Sequence, residues 1–157
     1  MSGGDHVDRI MEIMAQAFDP AYGEAWTRRQ VEDALVLGNC HAYLANSGGL
    51  PVIDDEPAVG FSLSRTGYEE EELLLFAVLP QYRGQGVGLT ILQALRQAAQ
   101  ARGARRLLLE MRRGNPAERL YQSFGFTLIG ERRDYYRTSF GTRIDALTFA
   151  YEMPSSV

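Results

Sequence analysis

The stretch "LLFAVLPQYRGQGVGLTILQALRQ", Leu74 to Gln97, sets an apolar run, a turn with glycines at 84, 86 and 88, and an amphipathic pattern end to end. The apolar run predicts a buried strand, and Gly86 to about Arg102 predicts a helix that Gly103 stops. Strand, glycine turn and helix N-terminus in that order make an anion site. Free backbone N–H groups and the positive end of the helix dipole there point the same way.

The kind of anion follows partly by exclusion. A Walker A loop needs G-K-[ST], and all 16 cationic side chains of this chain are arginine, so P-loop chemistry is excluded. A dinucleotide fingerprint needs G-x-G-x-x-G, but Gly84, Gly86 and Gly88 give G-x-G-x-G with Leu89 in the last place. The acidic residue expected about 20 positions later is also missing. What remains is Q-x-x-G-x-G, from Gln81 through Arg83, Gly84 and Gln85 to Gly86, running on into Val87, Gly88 and Leu89. The plainer alternative is a strand-to-helix turn that uses glycine only for its positive φ.

Outward from this loop, the pattern is helix, helix, three strands, helix, strand, helix, two strands. Residues 5–18 space Val7, Ile10, Ile13, Met14 and Ala17 at helical intervals, with Asp5 as cap. "DPAYGE" interrupts, and "WTRRQVEDALVL" resumes with Val31, Ala34 and Leu35 inward until Gly38. Residues 40–46 and 57–66 read as antiparallel strands. Glu69 to Glu72 read as a solvated hairpin end leading into "LLLFAVL". "RRLLLEM" is a buried strand with one carboxylate, and "NPAERLYQSFGF" is a helix with Asn115 as N-cap, Pro116 first, Glu118 completing a capping box and Gly125 ending it. "TLIGERRDYY" and "IDALTFAYEM" are strands joined by "RTSFGTR".

At 157 residues, 45% hydrophobic and 23% charged, the composition is that of one globular domain over residues 1–157, of mixed α/β (α+β) layer type. The net charge of −4 argues against bulk neutralisation of nucleic-acid phosphates. No segment has the apolar length of a membrane span, and the first residues lack a signal-peptide pattern, so a cytoplasmic address is expected. Cys40, the single cysteine, reads as a buried thiol. His6 and His41 lack metal-ligand spacing, and no metal site is expected.

The loop "QYRGQG" resembles the acetyl-CoA loop of the GNAT N-acetyltransferase superfamily, whose main-chain amides grip the coenzyme A pyrophosphate. Within it, the chain is most similar to bacterial ribosomal-protein-alanine and related N-terminal acetyltransferases. The resemblance runs over residues 6–153 through "AWTRRQVEDAL", "FAVLPQYRGQGVG", "LEMRRGN", "LYQSFGF" and "RRDYYRTSFGTRIDALTFAYEM". It implies a mostly antiparallel sheet flanked by helices, with the family's first strand truncated or absent, and acetyl-CoA as cosubstrate.

By the same resemblance, the thioester lies along Phe76, Ala77 and Val78, with the N–H near Val78 on its carbonyl. Glu110 takes the place of the family's general base. As the one ionisable group in "LLLEM" it is either desolvated, lies where the strand opens into a cleft, or partners a nearby arginine. Tyr121 takes the place of the tyrosine that gives a proton to the coenzyme thiolate, against a packing role. Trp26, Tyr135 and Tyr136 lie in the segments that shape the peptide cleft, with one of the two tyrosines facing substrate, and Glu72 is the reserve base. The spacing from Glu110 to Tyr121 is one residue short of the family's, which sets Gly114 against the family asparagine and gives Asn115 a capping role beside its candidacy as a coenzyme contact. The expected reaction is direct acetyl transfer to a protein N-terminus, alanine of a ribosomal protein first, with no direct nucleic-acid or membrane partner and the oligomeric state open. A small amine or lysine acceptor, or an inactive coenzyme A-binding module, is the rival reading.

Overall fold

The computed structural model describes the backbone of residues 3–154 and the side chains from His6 onward; the cap assigned to Asp5 lies outside the described side chains. The elements are α1 (Gly3–Ala17), α2 (Arg28–Val36), β1 (Cys40–Ala45), β2 (Gly60–Gly67), β3 (Glu70–Val78), α3 (Val87–Ala101), β4 (Arg106–Arg112), α4 (Glu118–Phe124), β5 (Thr127–Arg137) and β6 (Arg143–Glu152). Short 3-10 turns at Pro20–Tyr22 and Pro80–Tyr82 precede α2 and α3. The element order is the one the sequence predicts.

The strands form one sheet in the order β1-β2-β3-β4-β6-β5. Every neighbouring pair is antiparallel except β3 and β4, which run parallel. That parallel pairing is short, from Glu70 opposite Arg106 to Leu73 opposite Leu109. At the next residue the β2–β3 register shifts, with Leu63 opposite Leu75 and Ser64 opposite Leu73, so Leu74 is an extra residue on β3. A bulge bends its strand. Here the bend falls where β3 and β4 part, and the sheet splits into a V.

Apolar side chains at helical and strand periods bury the rest. Ile10, Met14 and Val31 pack with Phe61, Leu63 and Ile91 under β1–β3. Leu92, Leu107, Phe126 and Phe149 make a second cluster beneath β4 and β6. Thr27 caps α2 through a full capping box with Gln30.

Three local expectations need correction. Glu69 to Glu72 are not a solvated end. Tyr68 and Glu69 do turn the hairpin, but the next three glutamates belong to β3, and each of the four meets an arginine: Arg105, Arg106, Arg102 and Arg65 in turn. Glu71 is fully buried and also accepts from Ser64 and Thr66. The capping box expected before α4 does not form. That helix starts at Glu118 with Ala117 in the cap position, and Asn115 instead accepts the N–H of Ala117 (2.8 Å), closing the turn before it. Cys40 is half-buried, with burial pushing its thiol up.

Candidate active site

The V between β3 and β4 opens into a cleft of about 1170 Å³. Its walls are the C-terminal halves of both strands, the glycine loop and start of α3, the segment before α2, and α4. Two local structures leave unpaired N–H groups along one end of it. The Leu79 N–H reaches Val59 (2.8 Å), so strand alternation aims the N–H groups of Phe76 and Val78 at the opposite edge, where β4 has left. At the head of α3 the first intrahelical bond runs from Thr90 to Gly86, which leaves the N–H groups of Val87, Gly88 and Leu89 without helical carbonyls.

The glycines of the loop divide their work. Gly84 and Gly86 have φ of +75° and +86°, and a Cβ on either would meet nothing, so backbone conformation is their requirement. Gly88 is a packing glycine: a Cβ there would stand 2.8 Å from Leu120 and 3.2 Å from Phe76. It lets α3 approach α4 and β3 closely. Arg83 serves the loop as a brace, with Nε on the Val78 carbonyl (3.1 Å) and Nη2 on the Ala17 carbonyl at the end of α1 (3.1 Å).

Phe76, Ala77, Val78, Arg83, Gly84, Gly86, Gly88, Leu89 and Asn115 all line the cleft, as do Glu110, Tyr121, Trp26 and Tyr136. Five candidates do not. Gln81 and Gln85 bond each other, Nε2 of Gln85 on the Gln81 carbonyl, and stiffen the turn from outside; Val87 is buried in the core. Glu72 is tied to Arg65 (2.6 Å) on the paired part of β3, before the strands part, and so is out of reach as a base. Tyr135 is half exposed, with its ring edge-on to Tyr136 at 5.2 Å. The β5–β6 register shifts between Arg132 and Tyr136, with Asp134 at φ +53°, and this irregularity sends Tyr136 alone into the cleft.

Glu110 sits one residue past the last β3–β4 pair, so of the environments weighed for it both the strand opening and an arginine partner are present. Its Oε2 is 3.5 Å from Nε of Arg132, an exposed side chain on β5. Tyr121 is buried between the rings of Phe76 (5.8 Å) and Phe126 (5.7 Å), and its hydroxyl bonds no described residue. Burial, then the charge of Glu24, pushes its pKa well above the ordinary tyrosine value. Tyr136 is pushed up to about 12, by burial first and then by Glu110 and Glu24.

Sequence reasoning missed a cluster at the other end of the cleft. Glu24 accepts from Nε of Arg112 (3.1 Å) and from Nδ2 of Asn115 (3.3 Å), and the Arg112 guanidinium lies 3.6 Å over the ring of Tyr22. "DPAYGE" reads as a break between helices, and nothing in its spacing points to a partner about 90 residues away. Asn115 thus spends its acceptor on Ala117 and a donor on Glu24. Arg119, exposed on α4 and also lining the cleft, was likewise not singled out.

The family model described as "Acetyltransferase (GNAT) family" matches residues 7–126. The chain belongs to that family. This acetyltransferase is 34% identical over 101 residues to the [ribosomal protein bS18]-alanine N-acetyltransferase of Haemophilus influenzae, covering 64% of this chain and 69% of that one. Its fold superposes on the crystal structure of the ribosomal-protein-S18-alanine N-acetyltransferase from Escherichia coli with TM-score 0.81 at 25% identity, over 100% of this chain and 93% of the other. A second GNAT-fold neighbour is Arabidopsis thaliana NAA60 in complex with a bisubstrate analogue, TM-score 0.78 at 17% identity, over 99% and 97% of the two chains. The mixed, mostly antiparallel sheet flanked by helices is the fold that the family resemblance implies. Among the described residues no helix is long and apolar enough to cross a membrane.

Proposed function

We propose that this chain is a one-domain, acetyl-CoA-dependent N-acetyltransferase of the cytoplasm that modifies the α-amino group of a protein N-terminus, with an alanine-initiated ribosomal protein as acceptor. The observation that carries the reading is one continuous cleft joining the amide-rich head of α3 to Glu110, Tyr121 and Tyr136 at the strand splay. The names of the relatives at 34% identity and of the 25% identical structure support the choice of acceptor.

The residues fit the cosubstrate. The free N–H groups at the start of α3 would hold the pyrophosphate, presented by the positive-φ turn that Gly84 and Gly86 allow. The unpaired edge of β3 at Phe76–Val78 pairs with the pantetheine amides, and the Val78 N–H polarises the thioester carbonyl. Glu110, directly or through a water, takes a proton from the amine as nitrogen bonds to the acetyl carbon and the carbon–sulfur bond breaks. Tyr121 donates to the departing sulfur. A thiolate is a weaker base than this phenolate, so Tyr121 keeps its proton, stabilises the departing thiolate by a hydrogen bond while solvent supplies its proton, and works as a hydrogen-bond acid held in place by its two phenyl neighbours.

The test is a peptide panel incubated with acetyl-CoA and read by mass. An alanine-initiated peptide should gain one acetyl group at its first residue, ahead of small amines and of lysine in a peptide with a blocked N-terminus. Acetyl-CoA binding without transfer to any member would leave a coenzyme-binding module, and preference for lysine or a small amine would replace the acceptor.

A further inference from the structure

The segment between α1 and α2 forms the wall of the cleft on the acceptor side, and its attachment is unusual. Asp19 caps its first turn and Thr27 caps α2 at its end, so both ends are fixed by local hydrogen bonds. Between them, Glu24, Ala25 and Trp26 make no backbone–backbone hydrogen bond with the described residues. Trp26 packs against the core under β1–β3, and the polar tie of this middle part is the Glu24 side chain. One carboxylate oxygen binds Arg112, at the end of β4, and the other binds Asn115, in the turn before α4. Both ionic partners are largely dehydrated, with side chains 20% and 10% exposed for Glu24 and Arg112. A charge-assisted contact of this kind is stronger and more directional than a surface pair.

The contact spans the mouth of the V. Glu24 comes from the α1–α2 segment and Arg112 from the last position of β4, three residues beyond its last pairing with β3. Tyr22 and Trp26, on either side of Glu24, both line the cleft, and Tyr22 is further fixed by the stacked guanidinium. We propose that Glu24 is a positioning residue for the acceptor: by holding Arg112 and Asn115 together it pins the α1–α2 segment across the open end of the β3–β4 splay and fixes the wall that Tyr22 and Trp26 present to the incoming peptide. A wall fixed beforehand removes the ordering cost that binding would otherwise carry. The identity of the occupant rests on the acetyltransferase reading; the pinning does not.

Trp26 is the single tryptophan of the chain, so its fluorescence reports on this segment directly. Glu24→Ala should raise acrylamide quenching of Trp26 about twofold or more, and raise KM for an alanine-initiated peptide about tenfold, the scale of a lost charge-assisted contact. The acetyl-CoA Kd and the pH profile of kcat should stay as in the wild type. Glu24→Gln keeps one acceptor oxygen, and so only one of the two contacts, without the charge; it should fall between the two, which also covers a Glu24→Ala variant that folds poorly. Unchanged quenching and peptide KM, with only a lower Tm, would make the contact merely structural and overturn the proposal. Collapse of kcat with loss of the acidic limb would make Glu24 the base and overturn it too. A wild-type enzyme that acetylates no peptide would sink the functional reading, and Trp26 quenching would still decide the pinning.

Discussion

The ring of Tyr121 stands 5.8 Å from that of Phe76, tilted by 56°, and this contact joins the helix α4 to the unpaired edge of β3. Phe126 closes on the other side at 5.7 Å, nearly edge-on. Pairs of this geometry contribute about 0.5–1.5 kcal/mol each beyond their burial, enough to hold one ring orientation. The phenol is therefore aimed by packing, with no hydrogen bond to a described residue.

Tyr121→Phe keeps that packing and removes only the hydroxyl. Turnover should fall by about 10² while acetyl-CoA affinity is unchanged, the usual scale for a positioned acid. Steady-state kinetics with calorimetric binding measures both. Wild-type turnover would leave Tyr121 a packing residue.

Gly86→Val tests the loop. At φ +86° a β-branched residue is strained by about 1–2 kcal/mol, yet its Cβ meets nothing, so the chain still folds. To relieve the strain the loop must rotate its amides away from the cleft. Calorimetry should show acetyl-CoA affinity reduced by about tenfold or more, and a lower but cooperative melting transition. Unchanged affinity would leave the anion elsewhere.

Glu71 governs acid stability. Burial pushes its carboxyl up, but hydrogen bonds from Arg102, Ser64 and Thr66 and the Arg102 charge outweigh this and hold it below the ordinary glutamate value. A folded-state pKa below the unfolded one means that the unfolded chain binds more protons in that window. The stability from Glu71 is thus complete above about pH 4.5 and lost as pH falls through the lower folded value. Glu71→Gln should destabilise by about 3 kcal/mol at pH 7, the low end for breaking a buried pair because Arg102 can turn to solvent. Denaturant melts from pH 7 to 3 should show wild type and variant converging at the acid end.

Local pattern made much of this molecule legible. Helical and strand periods placed every element, and the glycine loop marked one end of the cleft because free backbone N–H groups at a helix start follow from consecutive residues. Glu110 was legible as the one ionisable group of an apolar run, and Tyr121 only through the family resemblance of "LYQSFGF". What escaped was long-range pairing. Four successive glutamates look like a solvated run until the sheet sets an arginine beside each, three of them more than 30 positions along the chain. Glu24 and Arg112 are 88 positions apart. The bulge at Leu74, which opens the cleft, also leaves no mark in an unbroken apolar run.

Glu110 is the carboxylate at the strand opening, and its sufficiency as base depends on the acceptor. A peptide α-amine, with pKa about 7.7–8.0, is roughly a fifth to a third neutral at pH 7.4, whereas lysine near 10.4 is neutral to only about 0.1%. That difference is about 3–4 kcal/mol of deprotonation that an N-terminal acceptor does not require of the enzyme. Tyr136, pushed up to about 12, stays a phenol throughout the working range and can hydrogen-bond the acceptor but not remove its proton. Glu110→Gln should therefore lower kcat/KM for an alanine-initiated peptide at pH 7, and raising the pH should restore part of the rate because solvent then supplies neutral amine. The Arg132 contact at 3.5 Å, from an exposed side chain, should matter far less, and Arg132→Ala should change the rate by about twofold at most. A pH–rate series on both variants measures this. A Glu110→Gln enzyme with the wild-type profile would remove Glu110 from the chemistry, and comparable rates on a blocked lysine peptide would remove the N-terminal acceptor while leaving acetyl transfer in place.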